Sequence, residues 1–239
     1  MTRSIRALGL CLLALGLVGA GSAQGAVWMV NGANLTSGNE QLKGFLPATS
    51  IVHTKIGGNE VLFECNSASL INANVEKEGL VSASGIGFKV KFQECITKIN
   101  GTTNTGCEPN NNGTEPGVIV PNERKGRLLL GGGGQGVVLI ESLVRETVGG
   151  VPNTPVFARV KMSVSCPIGS NIPIIGGQIY ARDVGGNIGL EEEKLTHEFE
   201  EGPSTELWAL SKTAEHVISL LRTMKVSLVS DKNWSGLPE

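Results

Sequence analysis

Two separated segments of the chain alternate apolar and polar residues. In "GIGFKVKFQEC" the apolar residues Ile86, Phe88, Val90 and Phe92 are each followed by glycine, lysine or glutamine. In "VFARVKMSVSC" every second residue is again apolar, and the predicted core-facing set is Val156, Ala158, Val160, Met162, Val164 and Cys166. Neighbouring side chains of a strand point to opposite faces, so this period of two predicts β-strands with one face on a core and the other in water.

Glycine and asparagine mark turns between further apolar runs. The runs at residues 51–56 and 61–65 flank a Gly-Gly-Asn triplet, which is a spacing typical of a β-hairpin. Near the start, residues 27–35 predict a strand that enters a turn at Asn31-Gly32. Together these patterns predict an all-β fold, either an antiparallel sandwich or a barrel-like domain.

The segment "RLLLGGGGQGVVLIES", residues 127–142, is unusually rich in glycine. Gly131, Gly133 and Gly136 match the G-x-G-x-x-G pattern of dinucleotide-binding loops, in which a helix must follow so that its amino end meets the phosphates. Here Val-Val-Leu-Ile follows, and the phosphate-loop pattern G-x-x-x-x-G-K-[ST] does not occur. We therefore predict two strands joined by a flexible glycine turn, and no bound nucleotide.

The carboxyl-terminal part differs from the rest, because residues 204–235 contain no glycine or proline. At helical spacing recur Leu210, Ala214, Val217, Leu221 and Met224, whereas "KVSLVS" from Lys225 alternates like a strand. Both a helix and strands are open for this stretch, and we favour strands that complete the sheet. Glycine and proline are spread along the chain without a linker or a repeat, so we predict one domain over residues 24–239, with a charged tail at residues 191–239.

The amino-terminal residues have the three-part layout of a secretory signal peptide. Two arginines precede an apolar run at residues 7–18, and small residues follow. This run is shorter than the roughly 20 residues that a membrane-spanning helix needs, which argues against the alternative of a membrane anchor. We predict that residues 1–23 are removed by cleavage after Ala23, with Gly25 and Ala26 as alternative sites, and that no transmembrane segment remains in the mature chain.

The charge of the mature chain argues against binding to nucleic acid. Cleavage removes two of the 20 basic residues and none of the 22 acidic ones, which leaves a net charge of −4. This balance gives no long-range attraction to nucleic acid. The densest basic cluster, "NERKGR" at residues 122–127, predicts a solvated turn. We expect a secreted or cell-envelope protein; the sequence identifies no partner and leaves a cell-surface or extracellular one open.

Four cysteines remain after export: Cys65, Cys95, Cys107 and Cys166. An even number in an exported chain favours two disulfides, with three possible pairings, and no two cysteines are close enough for a typical zinc site. Residues 98–117 are rich in Asn, Gly, Thr and Pro and predict a loop. Since Cys95 precedes this loop and Cys107 lies in it, we predict that these two pair, and by elimination that Cys65 pairs with Cys166.

No motif assigns a catalytic, cofactor-binding or metal-binding role to a particular residue. His53, His197 and His216 lie outside any nucleophile motif, and G-x-S-x-G is absent. The acidic run at residues 190–202 lacks the second histidine of H-E-x-x-H, because Glu201 stands there. The segment from Asp183 lacks the central glycine and the final glutamate of a calcium loop. We predict a solvated charged segment and no cofactor.

The aromatic residues and the glycosylation sequons do not indicate a particular function. Besides six phenylalanines the chain has only three tryptophans and one tyrosine, so we expect Trp28, Trp208, Trp234 and Tyr180 to pack in the core instead of forming sugar-binding platforms. The N-x-[ST] sequons begin at positions 34, 100, 112 and 233 and would matter only in a eukaryotic secretory route.

Several short motifs occur in a fixed order along the chain. They are "WMVNG", a hairpin that ends in "FEC", the strand "FKVKFQEC", a loop closed by "GCEP" and a later strand that ends in "VSC". In this order the chain resembles uncharacterised secreted β-rich proteins of soil actinobacteria over residues 27–180. It departs from their pattern in the glycine-rich segment and in the charged tail. The resemblance implies export, disulfides and an all-β fold, and it implies no activity.

These observations lead to two expectations for function. The first is an exported, non-enzymatic β-domain with a structural or binding role at or outside the cell envelope. The alternative is a secreted hydrolase whose carboxylates come from separate strands. Two carboxyl groups about 5 to 9.5 Å apart across a cleft would favour the hydrolase.

Overall fold

The computed structural model describes residues 27–46, 48–82, 86–111, 113–130, 136–148, 150–176, 178–182, 197–199, 207–209, 216–220 and 224–237. These residues form β-strands and two short 3-10 turns, Lys77–Gly79 and Thr105–Cys107, so the all-β prediction is confirmed. In chain order the strands are β1 (Val27–Val30), β2 (Ala33–Asn34), β3 (Asn39–Phe45), β4 (Ser50–Ile56), β5 (Asn59–Ile71), β6 (Asn74–Glu76), β7 (Leu80–Ser82), β8 (Lys89–Ile99), β9 (Thr102–Thr103), β10 (Asn110–Asn111), β11 (Glu115–Pro116), β12 (Arg124–Leu130), β13 (Gly136–Ser142), β14 (Arg145–Val148), β15 (Val151–Lys161), β16 (Asn171–Gly176), β17 (Gln178–Arg182), β18 (His197–Phe199), β19 (Leu207–Ala209), β20 (His216–Leu220), β21 (Met224–Leu228) and β22 (Trp234–Leu237).

Two large antiparallel sheets form the body of the part described. One has the strand order β14-β15-β16-β19-β20-β4-β5-β8-β9, and the other has the order β17-β13-β12-β7-β6-β3-β21-β18. A small sheet joins β2, β1 and β22, and β10 pairs with β11. One cluster of buried side chains contains residues of both large sheets and of β1 and β22. The two sheets therefore share a core, as in an antiparallel sandwich.

Two tryptophans of the small sheet belong to this core. The ring centroids of Trp28 and Trp234 lie 5.5 Å apart, and both residues are buried. Nε1 of Trp28 donates a hydrogen bond to the carbonyl oxygen of Leu80 at 2.9 Å, so its polar atom is satisfied. The expected packing is confirmed for these two rings, whereas the side chains of Trp208 and Tyr180 lie outside the described part.

Two tight turns match the hairpin predictions. Asn31 and Gly32 join β1 to β2 with φ values of 50° and 74°, and Gly57 and Gly58 join β4 to β5 with φ values of 58° and 81°. Positive φ at both central residues is the geometry of a two-residue hairpin turn, and asparagine and glycine adopt it with the least strain. Both turns are therefore formed by the residues that predicted them.

The alternation predicted for β8 is largely confirmed. Phe88, Val90 and Phe92 are buried. Ile86 precedes the strand and is 64% exposed, so its predicted place in the core is wrong. β8 begins at Lys89, and the bridge of Phe88 to Arg124 extends the alternation by one inward position, which does not reach Ile86.

The strand predicted after residue 156 ends earlier than its sequence suggests. Val156, Ala158 and Val160 are buried as predicted. The strand stops at Lys161, turns follow, and Val164 is 94% exposed. The predicted inward position of Val164 is wrong, because the backbone is no longer extended there.

The glycine-rich segment joins two paired strands. β12 and β13 run antiparallel, with Arg124 opposite Ser142 at one end and Leu130 opposite Gly136 at the other. A strand, and no helix, follows the glycines, so the predicted hairpin is confirmed in its two strands. The turn itself, at residues 131–135, lies outside the described residues.

The described parts of residues 204–235 form strands. β19, β20, β21 and the start of β22 lie in this stretch, in agreement with the alternative that we favoured over a helix. β20 pairs with β4 and β21 pairs with β3, so the tail adds strands to both large sheets. The predicted signal peptide at residues 1–23 and residues 183–196, with most of the acidic run, lie outside the described part.

All four predicted cysteines form disulfides, but the predicted pairing is wrong. Cys65 is bonded to Cys95, and Cys107 is bonded to Cys166. β5 and β8 are antiparallel neighbours whose register places Cys65 directly opposite Cys95, with their Cα atoms 4.0 Å apart. Strand register therefore decides the pairing, whereas our prediction relied on closeness along the chain.

The basic cluster at residues 122–127 is not the predicted solvated turn. β12 begins at Arg124, whose backbone N and O are hydrogen-bonded to O and N of Phe88. This pairing places Arg124 in the core, where 3% of the residue is exposed. Its guanidinium carbon lies 3.5 Å from the ring centroid of Phe157. Burial lowers the pKa of Arg124 to about 9, because the charged form loses its hydration.

Candidate ligand-binding groove

An open groove of about 450 Å³ lies between two loops of the molecule. One wall comes from residues 105–116, between β9 and the end of β11, and the other comes from residues 161–171, between the end of β15 and the start of β16. Small-molecule sites in proteins commonly have volumes of about 300 to 1,000 Å³. The groove is therefore large enough for a ligand of several rings or residues.

Hydrogen bonds to β8 hold the first wall in shape. Oγ1 of Thr97 donates to the carbonyl oxygen of Cys107 at 2.6 Å. The amide of Gly117 donates to the carbonyl oxygen of Pro109 at 2.7 Å, and the carbonyl oxygen of Gly117 accepts from the amide of Cys95 at 2.8 Å. Turns and two-residue strands make up this wall, in agreement with the loop predicted at residues 98–117. The wall is thus fastened although it lacks a regular ladder.

The second wall consists of consecutive turns. The amide of Met162 donates to the carbonyl oxygen of Ser170 at 2.9 Å, which closes the base of the loop. Inside the loop, the amide of Cys166 donates to O of Ser163, and the amide of Gly169 donates to O of Cys166, each at 3.0 Å. Gly169 has φ 107°, a conformation that a residue with a side chain rarely adopts. These bonds fix the shape of the loop from within.

A disulfide connects the two walls. Cys107 lies in the first wall and Cys166 in the second, with their Cα atoms 4.9 Å apart. Both residues are buried. Because each wall is a loop and not part of a long strand, this covalent bond fixes their separation and preforms the groove.

Five of the described residues that line the groove have neutral polar side chains. Thr105, Ser163 and Ser170 contribute hydroxyl groups, and Asn110 and Asn171 contribute amides. Hydroxyl and amide groups can both donate and accept hydrogen bonds. Three of them already have partners, because Oδ1 of Asn110 accepts from the amide of Glu115, Oδ1 of Asn171 accepts from Nη1 of Arg159, and Oγ of Ser163 is bonded to Ser165. The groove therefore suits a ligand whose own polar groups do both.

Two charged residues line the groove and balance each other. Glu108 belongs to the first wall and Lys161 to the second, and both are exposed. Among the residues that the structure describes, the Glu108 carboxylate makes no hydrogen bond and no ion pair. The nearby Glu115 is engaged, because Nζ of Lys91 lies 2.8 Å from its Oε1 and lowers its pKa. Glu108 is thus the carboxylate that is available to a ligand.

Apolar groups also line the groove. Met162 is buried, and Val164 is almost wholly exposed at the tip of the second wall. An exposed valine on a loop fixed by hydrogen bonds and a disulfide offers aliphatic contact area at little cost in conformational entropy.

The residues that the sequence analysis considered for chemistry do not converge on this groove. Nε2 of His53 lies 2.8 Å from Oε1 of Glu60, on β4 and β5. His197 and His216 belong to β18 and β20, and their side chains lie outside the described part. Within the part described, no group of three or more His, Cys, Asp or Glu side chains could hold a metal ion. Of the residues singled out from the sequence whose side chains are described, Cys107 and Cys166 belong to the walls of the groove.

Sequence reasoning missed the groove because its two walls are far apart along the chain. The turn-rich composition of residues 98–117 did mark the first wall as an irregular loop. The second wall was not predicted, because "MSVSC" continues the alternating pattern of β15 although the strand ends at Lys161. A correct pairing of Cys107 with Cys166 is the signal that would have brought the two loops together.

None of the family models, curated proteins or solved structures with which the chain was compared matches it. The resemblance to secreted actinobacterial proteins therefore stays a prediction. In the part of the chain that the structure describes, no helix combines the length and apolar character required to cross a membrane.

Proposed function

We propose that the protein is an exported, non-enzymatic β-domain that binds a ligand at or outside the cell envelope through the groove between residues 105–116 and 161–171. One observation carries this proposal: a disulfide joins two hydrogen-bonded loops around an open cavity lined by both polar and apolar groups. A site that is already rigid before binding loses less entropy when the ligand arrives. The rest of the sandwich acts as the scaffold for these loops.

Export is supported by features of the whole chain. The amino terminus has the layout of a signal peptide, and all four remaining cysteines are paired. Disulfides form and persist in oxidising compartments, which include the outside of the cell. The groove that depends on one of these bonds is suited to the same location.

The groove gives less support to a hydrolase. A glycoside hydrolase needs two carboxyl groups across its cleft, whereas Glu108 is the one carboxylate among the described residues that line the groove. The other carboxylate close to this wall, Glu115, is held by Lys91 and by Nδ2 of Asn111. We therefore favour binding over hydrolysis as the role of this site.

The proposal can be tested by sedimentation of the purified, oxidised protein with cell envelopes of its native host. We expect the wild-type protein to sediment with the envelopes and the double variant Glu108→Gln with Asn171→Ala to sediment at least fivefold less. The matched control is Glu78→Gln with Asn39→Ala, which makes the same changes at exposed positions away from the groove. Sequencing of the exported protein should give Gln24 as its first residue.

Two results would contradict the proposal. One is equal sedimentation of the wild type and the groove variant, or no sedimentation of the wild type. The other is steady release of soluble sugar fragments from the envelopes, which would favour the hydrolase.

A further inference from the structure

We propose that the groove binds a short neutral oligosaccharide, and this inference rests on the proposed function. The hydrogen-bonding character of the lining supports it first. Thr105 and Ser170 present hydroxyl groups, and Asn110 and Asn171 present amide N–H groups, whereas the hydroxyl group of Ser163 is bonded to Ser165. Sugar hydroxyl groups donate and accept in the same way, so each can pair with such a side chain without leaving a polar atom unsatisfied.

The carboxylate of Glu108 adds a stronger acceptor. A carboxylate accepts from two donors at once, and neighbouring hydroxyl groups of a sugar ring present two such donors at a suitable spacing. Among the described residues no other group occupies this carboxylate. Glu108 is therefore placed to orient a sugar ring against the first wall.

The balance of charge favours a neutral sugar over an anionic one. Among the described residues that line the groove, Glu108 and Lys161 carry opposite charges, so the groove has no excess of positive charge. An acidic polymer would be repelled by the carboxylate of Glu108. A neutral ligand avoids this conflict.

The apolar contacts also fit a sugar, at modest strength. Val164, which is 94% exposed, offers aliphatic surface to the C–H groups of a ring, and the buried Met162 adds little to it. No aromatic side chain lines the groove in the part of the chain described, so the large contact area of a stacked ring is missing. We therefore expect dissociation constants in the range of about 10 μM to 1 mM.

An array that carries neutral oligosaccharides, acidic oligosaccharides and peptides tests the inference directly. We expect the oxidised protein to bind neutral oligosaccharides of two to four rings. Titration calorimetry with the best of these should show an affinity that changes less than twofold between 0.05 and 0.5 M NaCl, because a neutral ligand forms no ion pair. Glu108→Gln and Asn171→Ala should each weaken binding about tenfold, and Glu78→Gln should have no effect.

The outcomes separate this inference from the proposed function. Binding of peptides or acidic oligosaccharides alone, lost in the groove variants, would overturn the inference and leave a groove that binds ligands. Sedimentation with envelopes through the groove, without binding to any oligosaccharide on the array, would also overturn the inference alone. Binding of oligosaccharides that Glu108→Gln and Asn171→Ala leave unchanged would overturn both.

Discussion

The guanidinium group of Arg124 lies on the ring of Phe157 inside the sandwich, and no carboxylate among the described residues neutralises it. Its Nη2 donates to the carbonyl oxygen of Phe157 at 3.3 Å. The same oxygen accepts from the amide of Asn122 at 2.9 Å, so it would stay satisfied without the arginine. The core thus contains a charge whose burial opposes folding.

We predict that Arg124→Met stabilises the protein at pH 7 by about 1 kcal/mol or more, because methionine fills a similar space without a charge. Burial lowers the pKa of Arg124 to about 9, so the folded protein binds this proton less tightly than the unfolded chain does. The penalty is fully present below pH 9, and it diminishes as the pH rises through that value. Urea unfolding at pH 7 and pH 10 should show that the difference in free energy of unfolding between the variant and the wild type is smaller at pH 10.

The control for this prediction is Arg127→Met, which removes the same charge at an exposed position of the same strand. It should change stability by less than about 0.5 kcal/mol. If Arg124→Met instead lowers the free energy of unfolding at pH 7 by more than about 2 kcal/mol, the stabilisation from stacking on Phe157 outweighs the cost of burying the charge.

The two disulfides should contribute similarly to stability but differently to binding. The chain-entropy relation gives about 3.6 kcal/mol for the bridge with a sequence separation of 30 and about 4.2 kcal/mol for the one with a separation of 59. We expect Cys65→Ala with Cys95→Ala to lower the melting temperature and to keep ligand binding. We expect Cys107→Ala with Cys166→Ala to lower it slightly more and to abolish binding, even at temperatures where the variant is folded. Equal binding by the two variants would contradict our account of the groove.

Acid should weaken the contact between β14 and β15. Nε of Arg159 donates to Oε2 of Glu146 at 2.9 Å, and Nη2 of Arg159 contacts the same oxygen. These bonds lower the pKa of Glu146, so their stabilisation is present at neutral pH and is lost as the pH falls through that lowered value. Because both side chains are partly exposed, we expect Glu146→Gln to destabilise by about 0.5 to 1 kcal/mol at pH 7 and to have little effect at pH 3.

Chemical unfolding at the two pH values measures this difference. Glu78→Gln, at an exposed position in a 3-10 turn, provides the comparison and should have little effect at either pH. If Glu146→Gln lowers the free energy of unfolding by the same amount at pH 3 as at pH 7, the ion pair is not the cause of the destabilisation.

Gly87 should tolerate no side chain. A Cβ atom there would lie 2.8 Å from Cβ of Glu123 and 2.9 Å from the backbone amide of Arg124, and neither can move without moving the strand. We expect Gly87→Ala to destabilise by about 2 kcal/mol, measured by urea unfolding. Gly106→Ala should have a much smaller effect, since its nearest contact is a side-chain oxygen of Asn104 at 3.3 Å. Similar decreases in the free energy of unfolding of the two variants would disprove the steric explanation.

Features that depend on neighbouring residues could be predicted from the sequence. The turn at Asn31-Gly32 and the burial of Val90 and Val160 follow from the backbone preferences of a few residues and from the period of a strand. The alternation was misleading at Ile86 and Val164, because the polar and apolar pattern continues past the ends of the paired strands.

Features that depend on distant parts of the chain could not be predicted. The pairing of Cys65 with Cys95 follows from the register between β5 and β8, which the strands' own sequences leave open. The groove requires two loops to meet across the fold, and the burial of Arg124 requires its backbone to pair with Phe88. Each of these contacts is decided by the packing of the whole sandwich.

The bridge between Cys107 and Cys166 also bears on when the groove comes into existence. In a reducing compartment this bond does not persist, and the two walls are then held by their own hydrogen bonds and by contacts such as those between β10 and β15. If the protein is exported and binds a ligand as we propose, a newly made chain would have a looser groove that binds poorly until it has been oxidised. Such a protein would bind its ligand well only after export.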